Sequence, residues 1–321
     1  MEYSEEALDI IKNKTGLMIS GGGSLGIAMV GCLERLVELG FSLAEIKVIK
    51  GSSIGSIIAT AIACGADIHY MKQKIGDIDL NIFRDRDLFC CSLWQLITKY
   101  GLNKTRPIKI FASSILEELT GNKDITFLEL YQRTGVHLII TYLSVNIERT
   151  IYADWITEPN SSIRETIVKS SAIPVFYEAY YNKKNKQIAV DGGTLDNYSF
   201  NYLRDFSSKI LGLKLVSDGY ENDITNVGAE NALTPDRGYP KTVSKYLERL
   251  IYLMRDQAMR LHVKEKDWMS SIKIHIGHYN STDFDLTREE KDWLFNQGRI
   301  GADSYIKELT SLIQNGKYSQ D

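Results

Sequence analysis

The chain has 321 residues, 44% of them hydrophobic and 25% charged, with a formal net charge of −3. This is ordinary globular composition, and a chain of this length buries enough surface to fold without disulfides or metals. The slight acidic balance excludes the basic excess that marks nucleic-acid binding, and it gives no strong attraction to an anionic membrane.

No uninterrupted apolar run approaches the ~20 residues of a membrane span, so any contact with lipid has to be peripheral. The opening MEYSEEALDIIKNK is acidic and polar rather than basic and then apolar, so no secretory leader is expected and a cytosolic location is. Cys32, Cys64, Cys90 and Cys91 show no CxxC spacing and read as inert thiols of a reducing compartment. HExxH, DxDxDG and paired Cys/His spacings are all missing, so neither a metal nor a cofactor is expected.

In chain order, Gly16–Ser20 is a short apolar run ending in glycines and reads as a buried strand. Ser24–Leu39 has apolar residues at helical spacing and stops at Gly40. Ile46–Ile49 reads as a second strand, and Ser53–Cys64, apolar nearly all round, as a buried helix capped by Gly65. Strand, helix, strand, helix makes a βαβ unit and therefore a parallel sheet.

The middle, 67–134, shows no clear β-pattern and reads as helices and loops, with Ile110–Leu119 helical up to Gly121. Strands return at Val136–Leu143, Thr150–Tyr152, Glu178–Tyr181, Gln187–Val190, Ile210–Leu215 and Ile272–Ile276. Thr242–Val263 and Thr287–Ile313 read as long amphipathic helices, and 217–240 as a long polar surface loop.

Three motifs carry chemistry. Ser20-Gly21-Gly22-Gly23-Ser24-Leu25-Gly26 joins the first strand to the first helix. Glycines there expose amide N–H groups at a helix N-terminus, a site for negative charge such as a phosphate or an oxyanion. Gly51-Ser52-Ser53-Ile54-Gly55 is a G-x-S-x-G elbow in its strand–turn–helix context, which holds a serine hydroxyl out at the sheet's carboxyl end. A dinucleotide fold would want an acidic residue at the end of that strand, and Lys50 stands there instead. Val190-Asp191-Gly192-Gly193 follows a strand and puts a carboxylate on the same sheet edge.

The order glycine loop, G-x-S-x-G, D-G-G resembles the patatin-like phospholipases. GIAMVGCLERLVELG, SSAIPVFY at 170–177 and VDGGTLDN at 190–197 agree, as does FDLTREEKDWLFNQGRIGADSYI near the end. The resemblance is close over about residues 15–200 and looser beyond. It implies a three-layer α/β/α fold with a mainly parallel central sheet, as one domain over 1–321 with its core at about 15–315. It further implies a Ser–Asp dyad without histidine: Ser53 as nucleophile, Asp191 as base, and the amides of Gly21, Gly22, Gly23 and Ser24 as oxyanion hole. Gly26, Gly51, Gly55, Gly192 and Gly193 would be the motif glycines. The implied substrates are phospholipids or other acyl-ester lipids, met by peripheral membrane contact, and a protein activator would fit the same reading.

Two departures stand out. Leu25 replaces a residue that is usually Arg or Lys in the family, and Asp196-Asn197-Tyr198-Ser199 replaces D-N-x-P. An unperturbed aspartate, with a pKa of ~3.9, is a weak base, so Asp191 is expected to be buried. Segment 69–134, inserted after the elbow helix, is the expected lid. The aromatic-rich stretches around Tyr177, Tyr180 and Tyr181, and around Phe83, Leu88, Phe89, Leu93 and Trp94, are candidates for an acyl channel or an interfacial face.

Other readings remain open. Ser53, Asp191 and then His275 or His278 is the chain order of an α/β-hydrolase triad. A lipid-binding pseudoenzyme of the same fold is the non-enzymatic alternative, for which only Leu25 speaks. His69, His137 and His262 read as structural or surface residues.

Overall fold

The computed structural model describes residues 3–84, 89–183, 186–217 and 263–318, with scattered positions between 246 and 258. The polar stretch 217–240, the helix expected over Thr242–Val263, the turn at Asp85-Arg86-Asp87, Leu88 and His262 lie wholly or mostly outside them. So do the side chains of Phe89, Cys90, Cys91 and Leu93.

The chain runs α1 (Glu5–Lys12), β1 (Gly16–Ile19), α2 (Gly26–Glu38), β2 (Val48–Ser52) and α3 (Ile54–Ala63). It continues through α4 (Phe89–Lys99), β3 (Gly101–Asn103), α5 (Arg106–Thr120), α6 (Phe127–Thr134), β4 (His137–Ser144) and β5 (Arg149–Ala153). Next come α7 (Ile163–Ser171), β6 (Val175–Tyr177), β7 (Tyr180–Asn182), β8 (Gln187–Asp191), β9 (Ile210–Val216), β10 (Ser271–His275) and α8 (Arg288–Gln314). Local chemistry sets several ends. Thr126 with Glu129, and Thr287 with Glu290, form capping boxes that start α6 and α8. Gly121, at φ 69°, closes α5 in the left-handed conformation.

The main sheet is mixed and eight-stranded. Strands β10, β9, β1, β2 and β4 are parallel neighbours in that order. Strands β5 and β8 join β4 antiparallel, and β7 joins β8. Alternation along the strands sends Leu17, Ile49, Ile140, Leu213 and Ile274 to one face, under α2, α3, α7 and α8. Met18, Val48, Ile139 and Ile210 point to the other, under Tyr198, Phe200 and Leu203, with Trp268 packed alongside. Helices on both sides of a mixed sheet give the α/β architecture, the larger core lying on the α2–α8 side.

Three local expectations shift. β2 runs on to Ser52, because Gly51 and Ser52 pair with Ile140 and Thr141 of β4. The middle segment does contain a strand: β3 pairs with β6 in a separate two-stranded sheet. The strand expected over Glu178–Tyr181 starts only at Tyr180, as β7, and a further short strand, β6, precedes it.

Candidate active site

A strand has two hydrogen-bonding edges, and the register of β4 shows how they are used. Strand β5 takes one edge, pairing with Ile140–Ser144. Strands β2 and β8 must therefore share the other edge end to end, since β2 pairs as far as Thr141 and β8 begins its pairing at Tyr142. Ser52 stands opposite Thr141, and Asp191 opposite Tyr142. One step along a strand is about 3.3 Å, so β2, rising, meets β8, descending, at one point. β2 cannot continue, and the chain turns out of the sheet at Ser53.

That turn has the geometry of an elbow. Ser53 sits at φ 53° and ψ −129°, outside the helical and extended regions, at the N-cap of α3. Such a backbone costs on the order of 1–3 kcal/mol and persists only where its surroundings hold it. The flanking glycines are demanded by space: a Cβ on Gly51 would lie 2.3 Å from Gly55 O, and one on Gly55 would lie 2.5 Å from Ile19 O and Ser20 O.

The end of α7 fixes both partners. The Ser53 amide donates to Ser170 Oγ at 2.9 Å, and Ser170 Oγ donates to Thr141 O at 2.6 Å. The Asp191 amide donates to Ala172 O at 2.9 Å, while its carboxylate Oδ1 accepts from the Gly193 amide at 2.7 Å. Both Ser53 and Asp191 are buried.

Asn197 joins the glycine loop to this centre. The Gly21 amide donates to Asn197 Oδ1 at 2.8 Å. A Cβ on Gly21 would stand 2.6 Å from that oxygen and 3.0 Å from Ser53 Cβ, and one on Gly193 would stand 2.7 Å from it and 3.0 Å from Asp191 Oδ1. The carboxamide thus lies between the two candidate residues. Of the loop's amides, Gly21 is engaged by Asn197, and Ser24 donates to Ser281 O at 3.1 Å. Those of Gly22 and Gly23 have no acceptor among the described residues.

Lys50, where a dinucleotide fold would carry an acid, is buried with its Nζ 3.0 Å from Ser199 O and 3.4 Å from Asp196 Oδ1. Burial pushes its amine below the ordinary value, and the Asp196 charge opposes that. Leu25 is buried in the main core, so the basic side chain usual at that position in the family has no counterpart there.

A shallow apolar cleft, open to solvent, borders Gly23 and Ser24 and is walled by Ile54, Ile75, Ile78, Leu80, Phe83 and Phe111. Lys291 of α8 also lines it, its Nζ donating to Ile78 O at 2.6 Å. Of the aromatic candidates, Phe83 thus faces the cleft and Tyr177 donates to Phe83 O at 3.0 Å, while Trp94 and Tyr181 are exposed.

The family model for patatin-like phospholipases matches residues 17–204. The chain belongs to this patatin-like family. Protein R571 of Acanthamoeba polyphaga mimivirus, uncharacterised itself, is 26% identical over 95% of this chain and 96% of its own length. The triacylglycerol lipase ptl3 of Schizosaccharomyces pombe is 28% identical over 53% of the chain, a match spanning 35% of that lipase. Among solved structures, VipD from Legionella pneumophila shares the fold, with a TM-score of 0.61 at 16% identity over 92% of this chain and 67% of that one.

The histidines and cysteines singled out from the sequence lie outside the three motifs. His275 ends β10, three strands from β2 in sheet order, which is about 14 Å at ordinary strand spacing. His278 stacks on Tyr279 with ring centroids 4.5 Å apart. His137 pairs with Asp154 at 2.8 Å. Cys32 and Cys64 are free thiols, and burial pushes Cys64 up to about 12. Among the described residues no cluster of His, Cys, Asp or Glu could hold a metal ion, and no helix is long and apolar enough to cross a membrane. Ser170, which accepts from the Ser53 amide, belongs to SSAIPVFY but to none of the three motifs.

Proposed function

We propose that the protein is a lipid acyl hydrolase in which Ser53 is the nucleophile and Asp191 its base. The meeting of β2 and β8 on one edge of β4 carries this reading, because it brings a strained serine and a buried carboxylate to one point. In the proposed cycle Asp191 accepts the Ser53 hydroxyl proton as the oxygen attacks an ester carbonyl. The resulting oxyanion sits at the unengaged amides of Gly22 and Gly23, each such donor being worth ~3 kcal/mol. Collapse expels the alcohol or lysolipid, which takes the proton from Asp191. Water then adds to the acyl-enzyme with Asp191 again as base, and the fatty acid leaves.

The apolar cleft beside the loop supports a fatty-acyl substrate, and the likeness to a triacylglycerol lipase supports the same class.

Hydrolysis of a para-nitrophenyl acyl ester and a fluorogenic phospholipid tests the proposal. Ser53→Ala and Asp191→Asn are each expected to lose activity by on the order of 10⁴-fold, and a His275→Ala/His278→Ala variant to keep it. Loss of activity in a folded histidine variant would replace the dyad with a triad. Wild-type protein inactive on both substrates would sink the hydrolase reading.

A further inference from the structure

The outer lip of the cleft has a composition that the chain as a whole does not. Between residues 89 and 116 there are four cations, Lys99, Lys104, Arg106 and Lys109, and no Asp or Glu, in a chain whose net charge is −3. Large apolar side chains stand exposed in the same stretch: Trp94 (69%), Ile97 (65%), Tyr100 (60%) and Ile110 (58%). Trp94 and Ile97 are three residues apart on α4, hence on one helical face. Lys99, Lys104 and Arg106 are exposed among them. Among the described residues, Glu165 pairs with Lys109 of this stretch at 2.6 Å, and Glu178 Oε1 accepts from Thr105 at 3.1 Å.

Continuity with the cleft gives the patch its direction. Phe83 and Phe111 line the cleft and pack edge to face at 5.7 Å. Their chain neighbours Ile82 and Ile110 point outward, 48% and 58% exposed. The wall that lines the cleft on one side therefore presents apolar residues to solvent on the other. Soluble proteins seldom leave aromatic and aliphatic side chains exposed together without a surface to bury them. Tryptophan and tyrosine with interleaved Lys and Arg suit the interface of an anionic bilayer, where the rings enter the headgroup region and the cations meet phosphates and carboxylates.

We infer that the α4–β3–α5 surface docks the protein on anionic lipid membranes and delivers the mouth of the cleft to the lipid. This rests on the reading of the protein as a lipid acyl hydrolase, whose substrates lie in such a surface. The overall charge conceals the attraction because the acids are distributed elsewhere in the chain.

The test is co-sedimentation of Ser53→Ala protein, which leaves lipid intact, with vesicles of phosphatidylcholine alone or in equal parts with phosphatidylserine. Tighter binding to the mixed vesicles is expected, weakened by salt. Lys99→Gln/Arg106→Gln in the same background should bind the mixed vesicles about thirtyfold more weakly. Trp94→Ser/Ile97→Ser should lose roughly tenfold or more on both vesicle types. With Ser53 restored, both double variants should hydrolyse a water-soluble ester as the wild type does, which also shows that they fold.

Mixed vesicles bound no better than neutral ones, or variants that bind as their parent does, would overturn the docking surface while soluble-ester hydrolysis left the hydrolase reading standing. The expected binding losses in a protein that cleaves no ester would leave the surface standing and sink the hydrolase reading instead.

Discussion

Asn197 holds two loops of the proposed site on one carboxamide. Its oxygen accepts from the Gly21 amide at 2.8 Å and lies against Gly193, next to the Asp191 carboxylate. By engaging Gly21 it fixes where the following amides, Gly22 and Gly23, point. It touches no reacting atom in the proposed mechanism and is therefore a positioning residue. Leaving a buried donor without its acceptor costs about 1–3 kcal/mol. Asn197→Ala is accordingly expected to lower kcat ten- to a hundredfold, with KM little changed, because a displaced oxyanion loop weakens only what forms in the transition state. Steady-state kinetics on a soluble ester distinguish this from general loosening, which would raise KM as well.

At the scale of elements, the buried Lys50–Asp196 pair ties β2 to the segment that carries Asn197. Lys50 lies one residue before the elbow motif and Asp196 one before Asn197, and each is 3% exposed. The Tyr152 hydroxyl also donates to the Asp196 carboxylate. Removing one member of such a pair strands the other charge, at a cost of about 3–5 kcal/mol, whereas replacing both by apolar groups is often neutral. Asp196→Ala should therefore lower unfolding stability by about that much, and Lys50→Met/Asp196→Leu by far less, as read from denaturant titration. Equal losses would show that the charges themselves are not what stabilises the clamp.

The same scale shows what the sequence could say. The helices were legible where side chains act locally, as in the capping box at Thr287 and Glu290 and the stop at Gly121. The true end of β2 was not, because Gly51 and Ser52 owe their strand conformation to pairing with β4. Strands β3 and β6 exist only through each other, and Val175 adopts φ 70° to begin the second. For the site, the three motifs marked the residues. The head-on approach of β2 and β8 and the anchoring by Ser170 link positions far apart in the chain, and no local pattern contains them.

For the whole molecule, the smaller core face is closed by a polar cluster that makes acid stability predictable. Asp154, directly after β5, has no exposed side-chain surface and accepts from Tyr202 at 2.9 Å, on the segment covering that face, and pairs with His137 of β4 at 2.8 Å. Tyr202 also stacks on Tyr152 at 4.7 Å, which links this cluster to Asp196. Burial pushes the Asp154 carboxyl up, but the hydrogen bonds from His137, Thr157 and Tyr202 outweigh it and bring the group from 3.8 down to about 2. The folded state thus binds this proton more weakly than the unfolded chain does. The stabilisation is complete above the unfolded value and is lost as pH falls from 3.8 toward about 2. The shift corresponds to about 2 kcal/mol. Asp154→Asn should be less stable than wild type by about that amount at neutral pH, and the gap should close near the folded value. Urea titrations at the two pH values decide the matter. A gap that stays constant would mean that Asp154 contributes through packing and neutral hydrogen bonds, and that acid unfolding is driven by other carboxylates.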